Sequence, residues 1–336
     1  MKGKRIGIAV VALGMVLIIV ALVVKLAIVP SMKQWPDDVD ETRYYEGALH
    51  TMLNAQALAS MDLPNVFVRD VPVDVSRHYT TEETDGKKAI VKEVIVVSGP
   101  EAEILTSESW YAIDRKTTES IPDFTDNPDI PDREGLVINF PIGTKKHDYQ
   151  RWVADLQATA PLTYLREEKS NGIETYVFES VVSPGEIKDP KVLAALPPAI
   201  PKNLLSVMAS ALNLPEAKKA ALTAVLPSLP DPVPLRYTYE YKATYWIEPT
   251  TGMNIDVERS ETRSAALAMG ETLVPLTPVF DIEYQTTEAS IAEGVDDAKE
   301  IKDALSLWGS TVPYIMIAVG AVLGIAGLMM VFRRKA

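Results

Sequence analysis

Two apolar runs, one at each end of the chain, constrain its fold more than anything between them. Ile6 to Val29 is interrupted only by Lys25, and Val312 to Phe332 carries no charge. Each is about the ~20 residues a helix needs to cross bilayer hydrocarbon, and neither has the polar stripe of an amphipathic core helix. Lys2, Lys4 and Arg5 precede the first run, and Arg333, Arg334 and Lys335 follow the second. Short basic flanks stay on the cytoplasmic side of a membrane. The expectation is two transmembrane helices at 6–29 and 312–332, cytoplasmic tails at 1–5 and 333–336, and an extracytoplasmic domain at 30–311. The first run exceeds the 7–15 residues of a cleaved leader's apolar core, and Ala27-x-Val29 is a poor cleavage site, so an uncleaved anchor is favoured. Lys25 sits where a long cationic side chain can snorkel to the interface. Gly320-x-x-x-Gly324 and Gly327 provide a small-residue face for close helix packing, either on the chain's own first span or in self-association of copies.

The composition of the middle narrows its class. Of the 33 basic residues seven lie in the end segments, leaving 26 against 46 acidic ones, a balance of −20. Such a surface repels nucleic acid and anionic membrane. The chain has no cysteine, and no Asn opens an N-x-Ser/Thr sequon. That favours a prokaryotic envelope protein over a disulfide-stapled, glycosylated surface domain. A hydrophobic core has to hold the domain, and about 280 residues suffice for one.

From Val66 onward period-two, β-branched patterning dominates. It predicts strands over Val66–Tyr79, Lys88–Ser98, Glu103–Arg115, Gly135–Phe140, Tyr164–Val182, Leu235–Ile247, Asn254–Arg263 and Pro278–Thr286. Asn171-Gly172 marks a hairpin, and "YWIEPTTGMNIDVE" marks a second across its Pro-Thr-Thr-Gly turn. The segment "SMKQWPDDVDETRYYEG" reads as a polar exit from the membrane. Two stretches depart from the β pattern. Residues 184–234 hold ten of the 24 prolines and read as an insert of short helices at Lys191–Leu196, Lys202–Leu214 and Glu216–Leu226, with Pro215 at a favoured first-turn position. Residues 290–308 read as a membrane-proximal amphipathic helix with a Ser290/Glu293 capping box, leading directly into the second span. The fold class is therefore membrane-anchored α+β: two terminal transmembrane helices enclosing a mainly antiparallel β domain with a helical insert.

Catalytic and metal signatures are lacking. His50, His78 and His147 are not spaced as a metal pair, and no nucleophile elbow, phosphate loop or zinc-protease helix occurs. The chain is expected to be non-catalytic and to need no cofactor. Asp123, Asp126, Asp129 and Asp132 recur every third residue, which suggests calcium. In a proline-favoured extended loop, however, successive carboxylates stand roughly 9 Å apart, too far to share an ion whose ligands lie at about 2.3–2.6 Å. The insert offers a candidate apolar face in Leu204, Leu205, Met208, Leu212, Leu222 and Val225. It either buries itself on the sheet or receives a greasy ligand or partner.

At "YAIDRKTTESIP", "GLVINFPIGTKKHDYQRWVADLQATAPLTYL" and "GIETYVFE" the chain resembles the actinobacterial DUF3068 proteins, catalogued as the "porin PorA" family. The likeness covers nearly the whole chain. It implies a helix-anchored surface protein and supplies no catalytic residues. Among its motif residues, Asp114 and Arg115 are expected to fix a turn by charge-assisted hydrogen bonds. Pro141 and Gly143 are expected to break a strand so that Tyr149 and Trp152 pack back. In architecture alone the layout is similar to the CD36 scavenger-receptor family, whose cysteines and sequons it lacks, and lipid handling carried over from there is analogy. The expected function is binding, and passing toward the membrane, of an apolar or lipid-like molecule. The alternatives are a structural or interaction module of the envelope and a pore-former, although no series of lipid-facing alternating strands of the outer-membrane kind is visible.

Overall fold

The structure, a computed structural model, describes residues 2–125, 127–211, 216–270 and 272–332. Two long helices, Gly3–Met32 and Glu288–Phe332, are apolar enough along their length to cross a membrane. Each passes through a short π-helical turn, at Val24–Ile28 and at Leu307–Thr311. The predicted amphipathic helix and the second apolar run are thus one continuous element. Its N-cap is not Ser290: Thr287 accepts from the Ser290 N–H at 3.2 Å. The Ser290 hydroxyl instead accepts from the Tyr44 N–H at 3.0 Å, so it fastens the sheet to the helix.

The two apolar segments run antiparallel in direct contact, and glycine sets their separation. A Cβ on Gly14 would stand 2.5 Å from the Gly320 carbonyl, and one on Gly7 would stand 2.9 Å from that of Gly327. Both pairs repeat after seven residues, so one narrow stripe lets the backbones touch. A Cβ on Gly324 would meet nothing within 4 Å. Gly320 is therefore occupied within the chain, while Gly324 faces outward. Near the other end of the pair, the Lys25 ammonium lies 3.2 Å from the Tyr314 hydroxyl and 4.6 Å from its ring centroid.

Between the helices lies one antiparallel sheet of ten strands, ordered β4-β3-β2-β1-β12-β11-β10-β7-β6-β5. The strands are β1 (Asp40–Leu53), β2 (Phe67–Asp85), β3 (Lys88–Ser98), β4 (Glu103–Asp114), β5 (Tyr149–Val153), β6 (Ala158–Ser170), β7 (Ile173–Glu186), β10 (Arg236–Glu248), β11 (Met253–Met269) and β12 (Thr272–Thr286). A two-stranded ribbon, β8 (Ala199–Ile200) with β9 (Val233–Pro234), belongs to the insert. Most expected strands are present, several of them longer. Two expectations need correction, and one hairpin stands where it was expected. The polar "exit" segment runs from Asp40 onward into β1, a central strand, in which Tyr45 and Leu49 face the core while Glu46 faces water. Tyr164–Val182 is the β6–β7 hairpin, turning at Asn171-Gly172 as its sequence signals. Gly135–Phe140 is no strand, and its backbone pairs with a strand of the sheet only through a bridge from Leu136 to Arg151.

That bridge has architectural consequences. Ile113 of β4 pairs with Ser120, Glu119 pairs with Leu136, and Leu136 pairs in parallel with Arg151 of β5. The hydrogen bonds are well formed: Ile121 N–H to Ala112 O at 2.9 Å, Ser120 N–H to Gly135 O at 2.9 Å, and Leu136 N–H to Gln150 O at 2.8 Å. The two edges of the sheet are joined through these short segments, and the half-barrel becomes a ring at that level. Gly135, at φ +69°, is required here, since a Cβ would fall 2.5 Å from the Gln150 carbonyl oxygen. Phe140, Leu136 and Ile138 then fill the ring's floor, at the end from which the long helices leave.

The insert helices Lys202–Ala211 and Glu216–Val225 sit at the opposite end. Leu204, Leu205 and Leu222 are buried there with Ile200, Val233, Leu267 and Leu276. The end of the expected Lys202–Leu214 helix, including Leu212, lies outside the described residues.

Replacing Gly320 by Val places a branched side chain against the Gly14 carbonyl. It should cost on the order of 2 kcal/mol of stability in the purified full chain, as overpacking does, whereas Gly324→Val should be close to neutral. Denaturation midpoints of the two variants distinguish these outcomes.

Candidate functional site

β-strand geometry sends alternate side chains to opposite faces, and the inward face of this ring is unusually polar. Along β11, Val257, Arg259, Glu261 and Arg263 point inward in succession. Along β10 the inward positions are Tyr237, Tyr239, Tyr241, Ala243 and Tyr245, all buried. β2 contributes Val75, Arg77 and Tyr79, and β3 contributes Glu93. These walls enclose a cavity of about 180 Å³ lined by Arg77, Glu93, Arg151, Trp152, Asp155, Tyr239, Arg259, Glu261 and Arg263, among others. At ~30 Å³ per water it has room for about six. Leu105 and Ser107, exposed residues of β4, also line it. The interior is therefore reached from solvent along the seam between β4 and the β5–β6 side, above the closing bridges.

The charges inside are organised as pairs. Arg77 donates through Nε to Glu93 Oε1 at 3.0 Å, and the Tyr111 hydroxyl donates to Glu93 Oε2 at 2.8 Å. Arg259 Nη2 donates to Glu261 Oε2 at 2.7 Å, and Tyr239 donates its hydroxyl proton to the same oxygen at 2.7 Å. Arg263 grips Asp155 with both prongs, at 2.6 and 3.1 Å. Rings complete the cages: Arg259 lies 4.8 Å from the Tyr241 centroid and Arg263 lies 4.9 Å from that of Phe280. Pairing of this quality offsets the several kcal/mol that desolvating each ion costs.

The titration behaviour follows from that environment. Burial alone would raise the Glu261 carboxyl, but Arg259, Arg263 and the Tyr239 hydrogen bond outweigh it and pull it down to about 2. Burial likewise acts upward on Glu93, yet Arg77 and phenolic hydrogen bonding leave it below the ordinary carboxylate range. Tyr239 and Tyr79 are pushed well up by burial.

The residues singled out from sequence fall in three places. Asp114 caps a turn, accepting from the Lys116 and Thr117 N–H groups at 2.7 and 3.1 Å. Arg115 does not join that turn: it donates to Trp35 O at 2.7 Å and Gly86 O at 3.2 Å, tying the N-terminal helix exit to the β2–β3 hairpin. Pro141 and Gly143 carry the chain under the floor, where the Gly143 N–H donates to Thr250 O at 3.2 Å and Tyr149 packs edge-on to Phe140 at 5.6 Å between centroids. Trp152 lines the cavity. Leu204, Leu205 and Leu222 lie in the insert's own core, Val225 is half-buried beside it, and the Met208 side chain and Leu212 lie outside the described residues. The structure brings the insert residues together and the motif residues together, at opposite ends of the ring. In the acidic loop the Asp123 N–H donates to Asp132 Oδ1 at 2.9 Å. Asp126 lies outside the described residues, and no metal-ligand cluster occurs among those described.

The interior network was not foreseen from the sequence. Its signal was available in Arg259-x-Glu261-x-Arg263 and in the alternating tyrosines of "YTYEYKATY". Charges at every second position of a strand normally mark its wet face.

Because the folded state holds Glu261 at about 2, against an ordinary value of 4.5, the unfolded chain takes up the proton first as pH falls. The stabilisation is complete above about pH 4.5 and is lost between there and about pH 2. It should amount to on the order of 3 kcal/mol. Unfolding free energies measured across that window should fall for the native chain and flatten for Glu261→Gln.

Known proteins are similar in sequence to this chain over nearly its whole length. The family described as Porin PorA matches residues 6–329. A protein named Porin PorA from Corynebacterium resistens is 24% identical, with 96% of this chain and 95% of the relative covered. A second of that name from Corynebacterium amycolatum is 21% identical, with 98% of each chain covered. The two apolar helices, the ring and its floor all lie within the matched span, and the chain belongs to the PorA family.

Proposed function

We propose that this protein is a non-catalytic component of the bacterial cell envelope. Its two helices anchor it in the membrane, with both tails cytoplasmic, and its external β ring takes up a small polar solute. The observation that carries this reading is the cavity of about 180 Å³ with charged side chains in its wall, enclosed by a ring that its own loops close. The name of the relatives supports a porin-like role in the envelope. A polar lumen is also what channel-forming barrels present to their solutes, although here the floor residues Leu136, Ile138 and Phe140 block straight passage. The ring is accordingly read as a receptor for solute rather than as an open pore in a single copy.

An apolar or lipid-like ligand has less in its favour. Its best candidate surface, Leu204, Leu205 and Leu222, is taken up by mutual packing. The internal cavity carries Arg77, Glu93, Arg151, Asp155, Arg259, Glu261 and Arg263 among its aliphatic lining residues, which disfavours a wholly apolar occupant. A structural or interaction role shares the anchor but leaves the cavity without a task.

Protease added to intact cells should cleave within 30–311 and leave both tails protected. In purified full-length protein, small polar solutes at millimolar concentration should raise the melting temperature. Stoichiometric co-purified lipid in native mass spectra, with no response to small solutes, would return the apolar-ligand reading to first place.

A further inference from the structure

The cavity wall holds four guanidinium groups, on Arg77, Arg151, Arg259 and Arg263, but only three carboxylates, on Glu93, Asp155 and Glu261. Three ion pairs use all the carboxylates. Arg151 is the remainder. It is only 6% exposed, and among the described residues no carboxylate stands within ion-pair distance of it. Of the five N–H groups of an arginine, one donates to Ile138 O at 2.9 Å. The guanidinium otherwise rests over the Tyr245 ring, 5.5 Å from its centroid. A buried cation without a counter-charge is expensive.

Two further polar groups are buried without a hydrogen-bond partner among the described residues, the Tyr245 hydroxyl and the Trp152 indole Nε1. Tyr245 lies beneath the Arg151 guanidinium. Trp152, the next residue of β5, also lines the cavity, although consecutive strand residues leave on opposite faces. Burial acts upward on the Tyr245 phenol, but Arg151, Arg259 and Arg77 together leave it below its ordinary value. The potential at this spot is positive, although the domain as a whole is strongly acidic.

We propose that the cavity binds a small monovalent oxyanion of the carboxylate type, held by the Arg151 fork. The proposal rests on the solute-receptor reading above and specifies the solute's charge. One unpaired guanidinium neutralises one negative charge. Its planar donors match a carboxylate in bidentate fashion, and the Tyr245 phenol beneath it can supply a further donor. The cavity volume excludes anything much larger than a handful of heavy atoms. The exposed β4 seam at Leu105 and Ser107 is the entry route. No covalent step is involved.

The test is titration of the full-length protein in detergent with sodium acetate at constant ionic strength, followed by tryptophan fluorescence and calorimetry. Glycerol serves as the neutral control. Saturable acetate binding is expected, at least tenfold weaker in Arg151→Gln and weakened to an intermediate degree in Arg151→Lys, which keeps the charge but loses the fork. Lys242→Gln, on the outer face, should bind as the native chain does. Near-UV circular dichroism checks that each variant is folded, and should Arg151→Gln not fold, Arg151→Lys carries the comparison. Equal acetate binding in native and Arg151→Lys or Arg151→Gln protein would overturn the proposal. Binding of glycerol without acetate would overturn the anion assignment while leaving the receptor reading intact. Binding of neither would overturn both.

Discussion

Everything in this molecule depends on how the two edges of one sheet are brought together. A ten-stranded antiparallel sheet left open would expose unpaired N–H and C=O groups along β4 and β5, an invitation to aggregation. Here the segments at 119–121 and 135–136 lie between the edges and satisfy them one bridge at a time. Closure does more than protect an edge. It wraps the sheet's inner face around a small cavity that solvent reaches only along the β4 seam, and it lays Phe140 across one mouth.

Inside that volume tyrosine, arginine and carboxylate are interleaved with the aliphatic side chains of an ordinary core. The arrangement costs desolvation and is sustained by shared oxygens: Glu93 and Glu261 each serve one arginine and one tyrosine. Aromatic faces then cover the guanidiniums. A network of this kind fixes the relative position of β2, β3, β10 and β11 more specifically than aliphatic packing could. Removal of one carboxylate would leave a buried cation exposed to no solvent and no partner, a loss of about 3–5 kcal/mol. Arg151 shows that the ring tolerates one such cation, and its place on the wall is what gives the interior a net positive character.

How much of this was legible in the sequence depended on the range of the interactions. The terminal helices, the strands β2, β3, β10 and β12, the Asn171-Gly172 hairpin and the insert helices follow from local periodicity and turn chemistry. β1 was hidden because a central strand with one wet face, written Asp-Glu-Thr-Arg-Tyr-Tyr-Glu-Gly, looks like a polar linker until its partners are known. Gly135–Phe140 misled in the opposite direction, since its apolar residues serve a floor rather than a strand. The motif around Asp114, Arg115, Pro141 and Gly143 was recognisable, but its task, stitching and flooring the ring, is a contact between segments far apart in the chain. The charged interior was least legible of all. Alternation identifies the two faces of a strand, and only the closed ring decides that the charged face is the inside one.

Amide hydrogen exchange on the purified full-length protein tests the closure most directly. The Ser120, Leu136 and Trp152 amides, which donate the bonds that join the edges, should be protected to a degree comparable with amides in the central strands β1 and β12. Exchange of these three as rapid as that of exposed loop amides would mean that the ring is open, that water reaches the arginine–carboxylate pairs freely, and that the enclosed site does not exist.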